Sequence, residues 1–198
     1  MKTNSKLVWG VIVLLIVILC MGACNSYNGM VSKQETATTA LANVEATYQR
    51  RADLIPNLSK TVKAYAKHEK ETFEEVSKAR ASVSQVKLDA DNLTPEKLKQ
   101  YQEAQGELTQ ALGKLMMVAE RYPELKASEN FKDLQIQLEG TENRINEARQ
   151  KYNEAVQDYN KDVRTFPNVI FAGMFGFERM AKFEAAAGAE KAPEVNFD

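Results

Sequence analysis

The sequence predicts an all-α protein, a long antiparallel bundle of about four helices preceded by an N-terminal membrane segment. Residues 7–24 are uncharged and apolar, as a membrane segment requires. The rest of the chain is rich in Ala, Glu, Lys, Leu and Gln, which favour helices, and its apolar residues recur every three or four positions. No stretch of alternating β-branched residues predicts a sheet.

The apolar run has three interpretations, and the sequence leaves them open. As a helix its length is about 27 Å, close to the thickness of the hydrocarbon core of a bilayer, which favours an uncleaved single-pass anchor. It also has the layout of a secretory signal peptide, although it is longer than the usual apolar region of about 7–15 residues. Finally, Met21–Cys24 resembles the lipobox of a lipoprotein, which is cut before a lipidated cysteine, here Cys24.

The charges beside the run predict the orientation of the chain. Lys2 and Lys6 precede it, whereas residues 25–32 carry no charge. The positive-inside rule then keeps the N-terminus in the cytoplasm and places the body in the periplasm or the extracellular space. We expect the chain to meet membrane lipid through its N-terminus.

Composition argues against several functions. Without Lys2 and Lys6 the chain has 24 basic and 27 acidic residues, which does not favour nucleic acid as a partner. Both cysteines lie in the apolar run, and His68 is the only histidine, so we expect no disulfide, metal site or cofactor. No nucleotide-binding or hydrolase motif occurs, and the chain is therefore expected not to be an enzyme.

Apolar spacing and punctuation predict helices at about 26–51, 54–90, 95–122 and 128–165. The first is expected to continue from the membrane segment. Thr94-Pro95-Glu96 is typical of a helix start, and the prolines at 123 and 167 end the third and fourth helices. Turn and loop chemistry is expected at Arg50–Pro56 and at Asp91-Asn92.

Each helix carries a polar residue in its apolar stripe. These residues are Gln34, Glu69, Gln105, and Thr141 with its neighbour Glu142. Buried polar groups of this kind either fix the register of a bundle or line an internal binding site.

Two segments carry a family resemblance. Tyr48–Leu58, which contains RRADLIPNL, and Leu138–Ile145, which reads LEGTENRI, resemble the signatures of LemA family proteins, and Phe175-Gly176-Phe177 resembles the family's usual ending. The resemblance implies a membrane-attached, mostly helical protein of poorly defined role, without catalytic residues. We hypothesise that the two signatures meet as a polar network that sets the register of the bundle. Its members would be Arg50, Arg51, Asp53, Asn57, Glu139, Glu142, Asn143 and Arg144.

The C-terminal part contains an uncharged segment, residues 166–177, that is hinged by glycines. It is expected either to fold back over the end of the bundle or to expose an adhesive patch made of Phe171, Met174, Phe175 and Phe177. The predicted domains are residues 1–24, 25–177 and a loose tail, 178–198, in which Val195 and Phe197 are candidates for docking.

The function that fits these features best is a non-enzymatic, membrane-anchored helical scaffold that self-assembles as a homo-oligomer or holds a partner. The alternative is a ligand-sensing or signalling adaptor that uses the polar layer inside the bundle.

Overall fold

The computed structural model describes residues 5–89 and 93–184, and within these ranges it contains six helices and no strand. The all-α prediction is confirmed. The predicted loop at Asp91-Asn92 and the docking of Val195 and Phe197 lie outside the described residues. The helices are α1 Ser5–Tyr65, α2 Lys70–Gln85, α3 Pro95–Arg121, α4 Pro123–Ala127, α5 Glu129–Asp162 and α6 Asn168–Phe175.

Helix α1 continues from the apolar run into the body, as predicted. It has 61 residues, which corresponds to about 90 Å. Among the described residues it is the one helix long and apolar enough to cross a membrane, and its apolar window is 0% buried. These properties fit both a retained anchor and a signal sequence.

The predicted turn at Arg50, Arg51 and Asp53 is wrong, because α1 continues through these residues and through Pro56. A proline inside a helix removes one backbone hydrogen bond and costs roughly 3 kcal/mol. Burial offsets this cost, since Ile55 and Leu58 on either side of Pro56 are 2% and 1% exposed and each contributes roughly 1.5–3 kcal/mol.

The chain breaks instead between Ala66 and Glu69, ten residues after the proline. The predicted second helix, 54–90, is therefore replaced by the end of α1 and by α2. His68 lies exposed in the turn between them rather than on a helix. The charged Lys67–Glu71 stretch contains no proline or glycine, so the sequence offered no strong signal for this break.

The start of α3 follows its sequence signals. The Thr94 hydroxyl accepts a hydrogen bond from the Lys97 amide at 3.2 Å, and Pro95 occupies the first turn. The predicted fourth helix becomes α5, which ends at Asp162 rather than at 165, and the segment after Pro167 forms α6. The predicted apolar stripes form much of the buried core, which includes Met30, Leu41, Val44, Leu108, Leu115, Ile145 and Tyr152.

The first of two compact units comprises the described residues of Met1–Asn57 and Asp133–Met180. In it α1 and α5 run antiparallel. The Arg51 guanidinium lies 3.2 Å from the Glu142 carboxylate, and the Lys33 ammonium lies 3.0 Å from the Asp162 carboxylate. The two ion pairs are 18 residues apart on α1 and 20 residues apart on α5, in opposite chain directions. The register between the helices is therefore maintained over about five helical turns.

The second unit comprises the described residues of Leu58–Lys132 and Ala181–Asp198. In it α2 packs antiparallel to α3. The Lys114 ammonium contacts the Glu75 carboxylate at 2.7 Å, and the Arg121 guanidinium contacts the Glu69 carboxylate at 2.9 Å. Glu69 thus lies where the chain breaks before α2, opposite the end of α3.

Candidate functional site

A polar cluster joins α1 to α5 in the first unit. Arg51 is 4% exposed, and its guanidinium pairs with the half-exposed carboxylate of Glu142. Tyr48, one turn before Arg51, hydrogen-bonds with Arg149 on α5. Burial raises the pKa of the Tyr48 phenol, Glu142 raises it further, and Arg149 and Arg51 oppose the shift. The Arg51–Glu142 ion pair and the Tyr48–Arg149 hydrogen bond both join α1 to α5, an arrangement suited to holding two helices in register.

The structure brings together only two of the eight residues predicted for the polar network, Arg51 and Glu142. The others lie exposed on their own helices, and among them Asp53 accepts a hydrogen bond from Gln49 at 2.8 Å. Glu139 similarly accepts one from Gln135 at 3.0 Å. The exposed set is Arg50, Asp53, Asn57, Glu139, Asn143 and Arg144.

Sequence reasoning missed Tyr48 and Arg149 as members of the cluster. Their spacing was the available signal. Tyr48 lies three residues before Arg51, and Arg149 lies seven residues after Glu142, so each shares a helix face with a signature residue.

The polar residues of the apolar stripes do not form one layer within either unit. In the first unit Gln34 lies beside the Lys33–Asp162 pair, whereas the buried Thr141 lies beside the Arg51–Glu142 pair and donates its hydroxyl to the Leu138 carbonyl at 2.7 Å. In the second unit Glu69 lies opposite the end of α3, and Gln105 lies 16 residues before Arg121 on α3.

Gln105, on α3, has a buried side-chain amide. It is 4% exposed, and neither its side-chain oxygen nor its nitrogen has a hydrogen-bond partner in the described part of the chain. A buried amide normally finds a partner, so this position is a place where a water molecule or a small polar ligand would be stabilised.

Helix α6 folds back onto α1 near the end of the apolar run. The Ser26 hydroxyl donates to the side-chain oxygen of Asn168, at the start of α6. The Tyr27 ring packs edge-on against Phe175 and Phe177, with ring centroids 5.1 and 5.5 Å apart.

The contact between α6 and the bundle has a buried apolar centre. Ala172 packs with Met30 of α1, with Tyr159 of α5 and with Val163 just after α5, and Phe171 and Phe177 flank this cluster. After α6 the chain is held by Asn160, whose side chain exchanges two hydrogen bonds of 2.9 Å with the backbone of Met180.

The predicted adhesive patch is therefore divided between two faces. Phe171 and Phe177 pack against the core, whereas Met174 and Phe175 are 71% and 47% exposed. Other side chains of the same segment are exposed with them, namely Phe166, Val169 and Ile170.

Cys24, the lipidation site in the lipoprotein interpretation, lies exposed on α1 together with Cys20. Across the described ranges no group of three or more His, Cys, Asp or Glu side chains is placed to hold a metal ion.

A family model described as LemA family matches residues 40–197. The chain belongs to the LemA family. The LemA match begins inside α1 and contains the Arg51–Glu142 pair, the Tyr48–Arg149 pair and α6, whereas the apolar run precedes it.

Similar curated proteins share the chain's body at modest identity. Magnetosome protein MamQ of Magnetospirillum gryphiswaldense is 28% identical over 180 residues, which cover 82% of this LemA-family chain and 66% of the relative. Magnetosome proteins MamQ 1 and MamQ 2 of Paramagnetospirillum magneticum are 28% identical over 175 residues, covering 80% of the chain and 64% of each relative. The chain thus spans slightly less than two thirds of the length of these relatives.

Proposed function

We propose that this LemA-family protein is a non-enzymatic helical scaffold, which α1 anchors in a membrane and which self-associates or holds a partner at the membrane surface. Its body lies outside the cytoplasm. The observation that carries the proposal is the continuity of α1, whose exposed apolar run and buried body segment belong to one helix. Because this helix is continuous, the position of its membrane segment determines the position of its body segment.

The polar cluster supports a structural role. The pairing of the half-exposed Glu142 with the buried Arg51 defines one register between α1 and α5. A fixed register gives a long helical pair the constant surface that lateral association needs.

Light scattering during size-exclusion chromatography tests self-association of the detergent-extracted full chain. The chain has a mass of 22.2 kDa, and the proposal predicts a protein mass that is a multiple of this value, after subtraction of the detergent. A strict monomer at every concentration would contradict self-assembly and leave only the partner-holding form of the scaffold.

The placement of the body is tested by cysteine labelling, because the body has no natural cysteine. In a Cys20→Ser, Cys24→Ser background, the exposed Ser77 is replaced by cysteine and intact cells are treated with a membrane-impermeant maleimide. The proposal predicts labelling without permeabilisation. Labelling only after the cells are permeabilised would place the body in the cytoplasm.

A second candidate function, a ligand-sensing adaptor, is favoured by one observation, the buried amide of Gln105 without a partner in the described structure. Native mass spectrometry of the extracted chain would show a small molecule that is retained by the wild type and lost in Gln105→Met. The same spectrum for both proteins, with no added mass, would contradict this candidate.

A further inference from the structure

Large exposed apolar side chains are concentrated in one part of the body. Beyond residue 24, nine such side chains occur among the described residues. Five of them lie between 166 and 175, and a sixth, Tyr27, contacts this segment. Isolated exposed apolar residues need no explanation, but a contiguous group of this kind marks a binding surface.

These residues lie on α6 and just before it. Ile170 and Met174 are one helical turn apart on the same side of α6, Val169 and Phe175 lie to either side of them, and Phe166 precedes the helix. Their exposed fractions range from 45% to 77%. Ala172, on the opposite side of α6 from Ile170 and Met174, is packed against the bundle, and Phe171 is partly buried against the same cluster. We refer to Phe166, Val169, Ile170, Met174 and Phe175 as the α6 face.

The contacts at the two ends of α6 are those expected of a helix that crosses α1 rather than following it. An eight-residue helix is about 12 Å long, yet its first residue contacts Ser26 and its last residue contacts Tyr27, adjacent positions that differ by about 1.5 Å along α1. If α1 spans a bilayer, α6 therefore lies roughly in the plane of the membrane.

The α6 face also lies close to the end of the apolar run, where a membrane interface would be. Ser26 lies two residues past the end of the apolar run at Cys24, about 3 Å along α1. Met30, against which the packed face rests, lies about 9 Å past the same point. The packed face thus looks toward the body, and the α6 face looks back toward the apolar run.

We propose that α6 is an interfacial membrane helix, whose exposed face inserts at the boundary between lipid headgroups and acyl chains beside α1. The segment between Thr165 and Glu178 is uncharged, and charged residues flank it, with Arg164 before it and Glu178 and Arg179 after it. An apolar face of this size with polar ends is bound by a lipid interface in the same plane. Together α1 and α6 fix the tilt and rotation of the first unit relative to the membrane, which a single spanning helix leaves free.

This inference rests on the proposed membrane anchoring by α1, so the test measures both in full-length protein reconstituted in phosphatidylcholine–phosphatidylglycerol vesicles. Trp9, the only tryptophan, reports insertion of α1 through its quenching by spin-labelled lipids. In a Trp9→Phe background, Met174→Trp reports on the α6 face. Met117→Trp is the matched control, because Met117 is an exposed methionine of α3, at 62% compared with 71% for Met174.

We expect Trp9 and the tryptophan at 174 to be quenched by lipid-borne spin labels, with at least a several-fold greater effect at 174 than at 117. Circular dichroism and melting temperature verify that each variant is folded. Quenching of Trp9 without quenching at 174 would overturn the interfacial helix and leave the anchor intact. Blue-shifted emission at 174 without lipid quenching would show that protein covers the face, which also overturns the proposal. Absence of quenching at Trp9 would overturn the anchor and the interfacial helix together.

Discussion

The Arg51 guanidinium of α1 lies 3.2 Å from the Glu142 carboxylate of α5, and this pair joins in one contact the two segments, 48–58 and 138–145, that resemble LemA family signatures. Arg51 is buried, whereas Glu142 is nearly half exposed. Loss of Glu142 would therefore remove the ion pair of a buried charge, whereas loss of Arg51 would leave a carboxylate that water can solvate. The pair is one end of an antiparallel register whose other end is Lys33 with Asp162.

Glu142→Gln is expected to lower the free energy of unfolding by about 1–2 kcal/mol, because it removes the carboxylate beside a buried guanidinium. Glu139→Gln, at an exposed residue that bonds only within α5 in the described structure, is the matched control and should change stability by less than about 0.5 kcal/mol. A double-mutant cycle of Arg51→Met with Glu142→Gln, followed by denaturant unfolding, should show a coupling energy above about 0.5 kcal/mol. Strictly additive effects would contradict the register role.

The buried phenol of Tyr152 should make the free energy of unfolding depend on pH in the alkaline range. Burial raises the pKa of its phenol to about 12, above the ordinary value of 10.0. The folded state therefore retains a proton that the unfolded state releases, so stability is unaffected below about pH 10 and falls as the pH rises toward 12, by on the order of 2 kcal/mol. Ultraviolet absorbance of tyrosinate should show a late ionisation whose amplitude falls in Tyr152→Phe, because other buried tyrosines also ionise late, and Tyr65→Phe, at an exposed ring, is the control. If Tyr152→Phe leaves the late phase unchanged, the assignment is wrong.

Two glycines of the α6 region are expected to respond to alanine with opposite signs. Gly176 ends α6 with φ +76°, in the left-handed region, so Gly176→Ala should destabilise the protein by about 1 kcal/mol. Gly173 is inside α6, and a Cβ there meets no atom within 4 Å, so Gly173→Ala should stabilise by about 0.5–1 kcal/mol. Thermal melts in one detergent compare the two, and shifts of the same sign would contradict the cap.

Gln105→Met should stabilise the protein by about 1–2 kcal/mol, because a thioether of similar shape replaces a buried amide without a hydrogen-bond partner in the described residues. Gln102→Met is the control, since the Gln102 amide is exposed and donates to the Glu184 carbonyl at 2.9 Å. Chemical unfolding measures both variants. Marked destabilisation by Gln105→Met would show that the amide binds a water molecule or ligand in the folded protein.

The sequence predicts the parts of the fold that local chemistry controls. Apolar periodicity located residues such as Leu108 and Ile145 in the core, and the Thr94-Pro95 pair located the start of α3. Prediction from local sequence was wrong at Pro56, where burial of the neighbouring side chains keeps α1 helical. It was also wrong at residues 66–69, where no proline or glycine marks the end of α1.

The candidate sites were predicted only in part, for a geometric reason. Glu139 and Glu142 occupy neighbouring turns of one helix, and only the register between α1 and α5 decides which of them meets Arg51. Likewise, residues 166–177 are apolar on every side, so periodicity does not reveal which face of α6 packs on Met30 and which remains exposed.

The central claim is that α1 remains uncut from the apolar run to the body, so that the membrane segment and the bundle are one helix. Intact mass spectrometry of the protein extracted from the membrane fraction tests it most directly. We expect a chain of 22.2 kDa that retains residues 7–23 and carries no lipid on Cys24. A shorter chain that begins with an acylated Cys24 would contradict the claim.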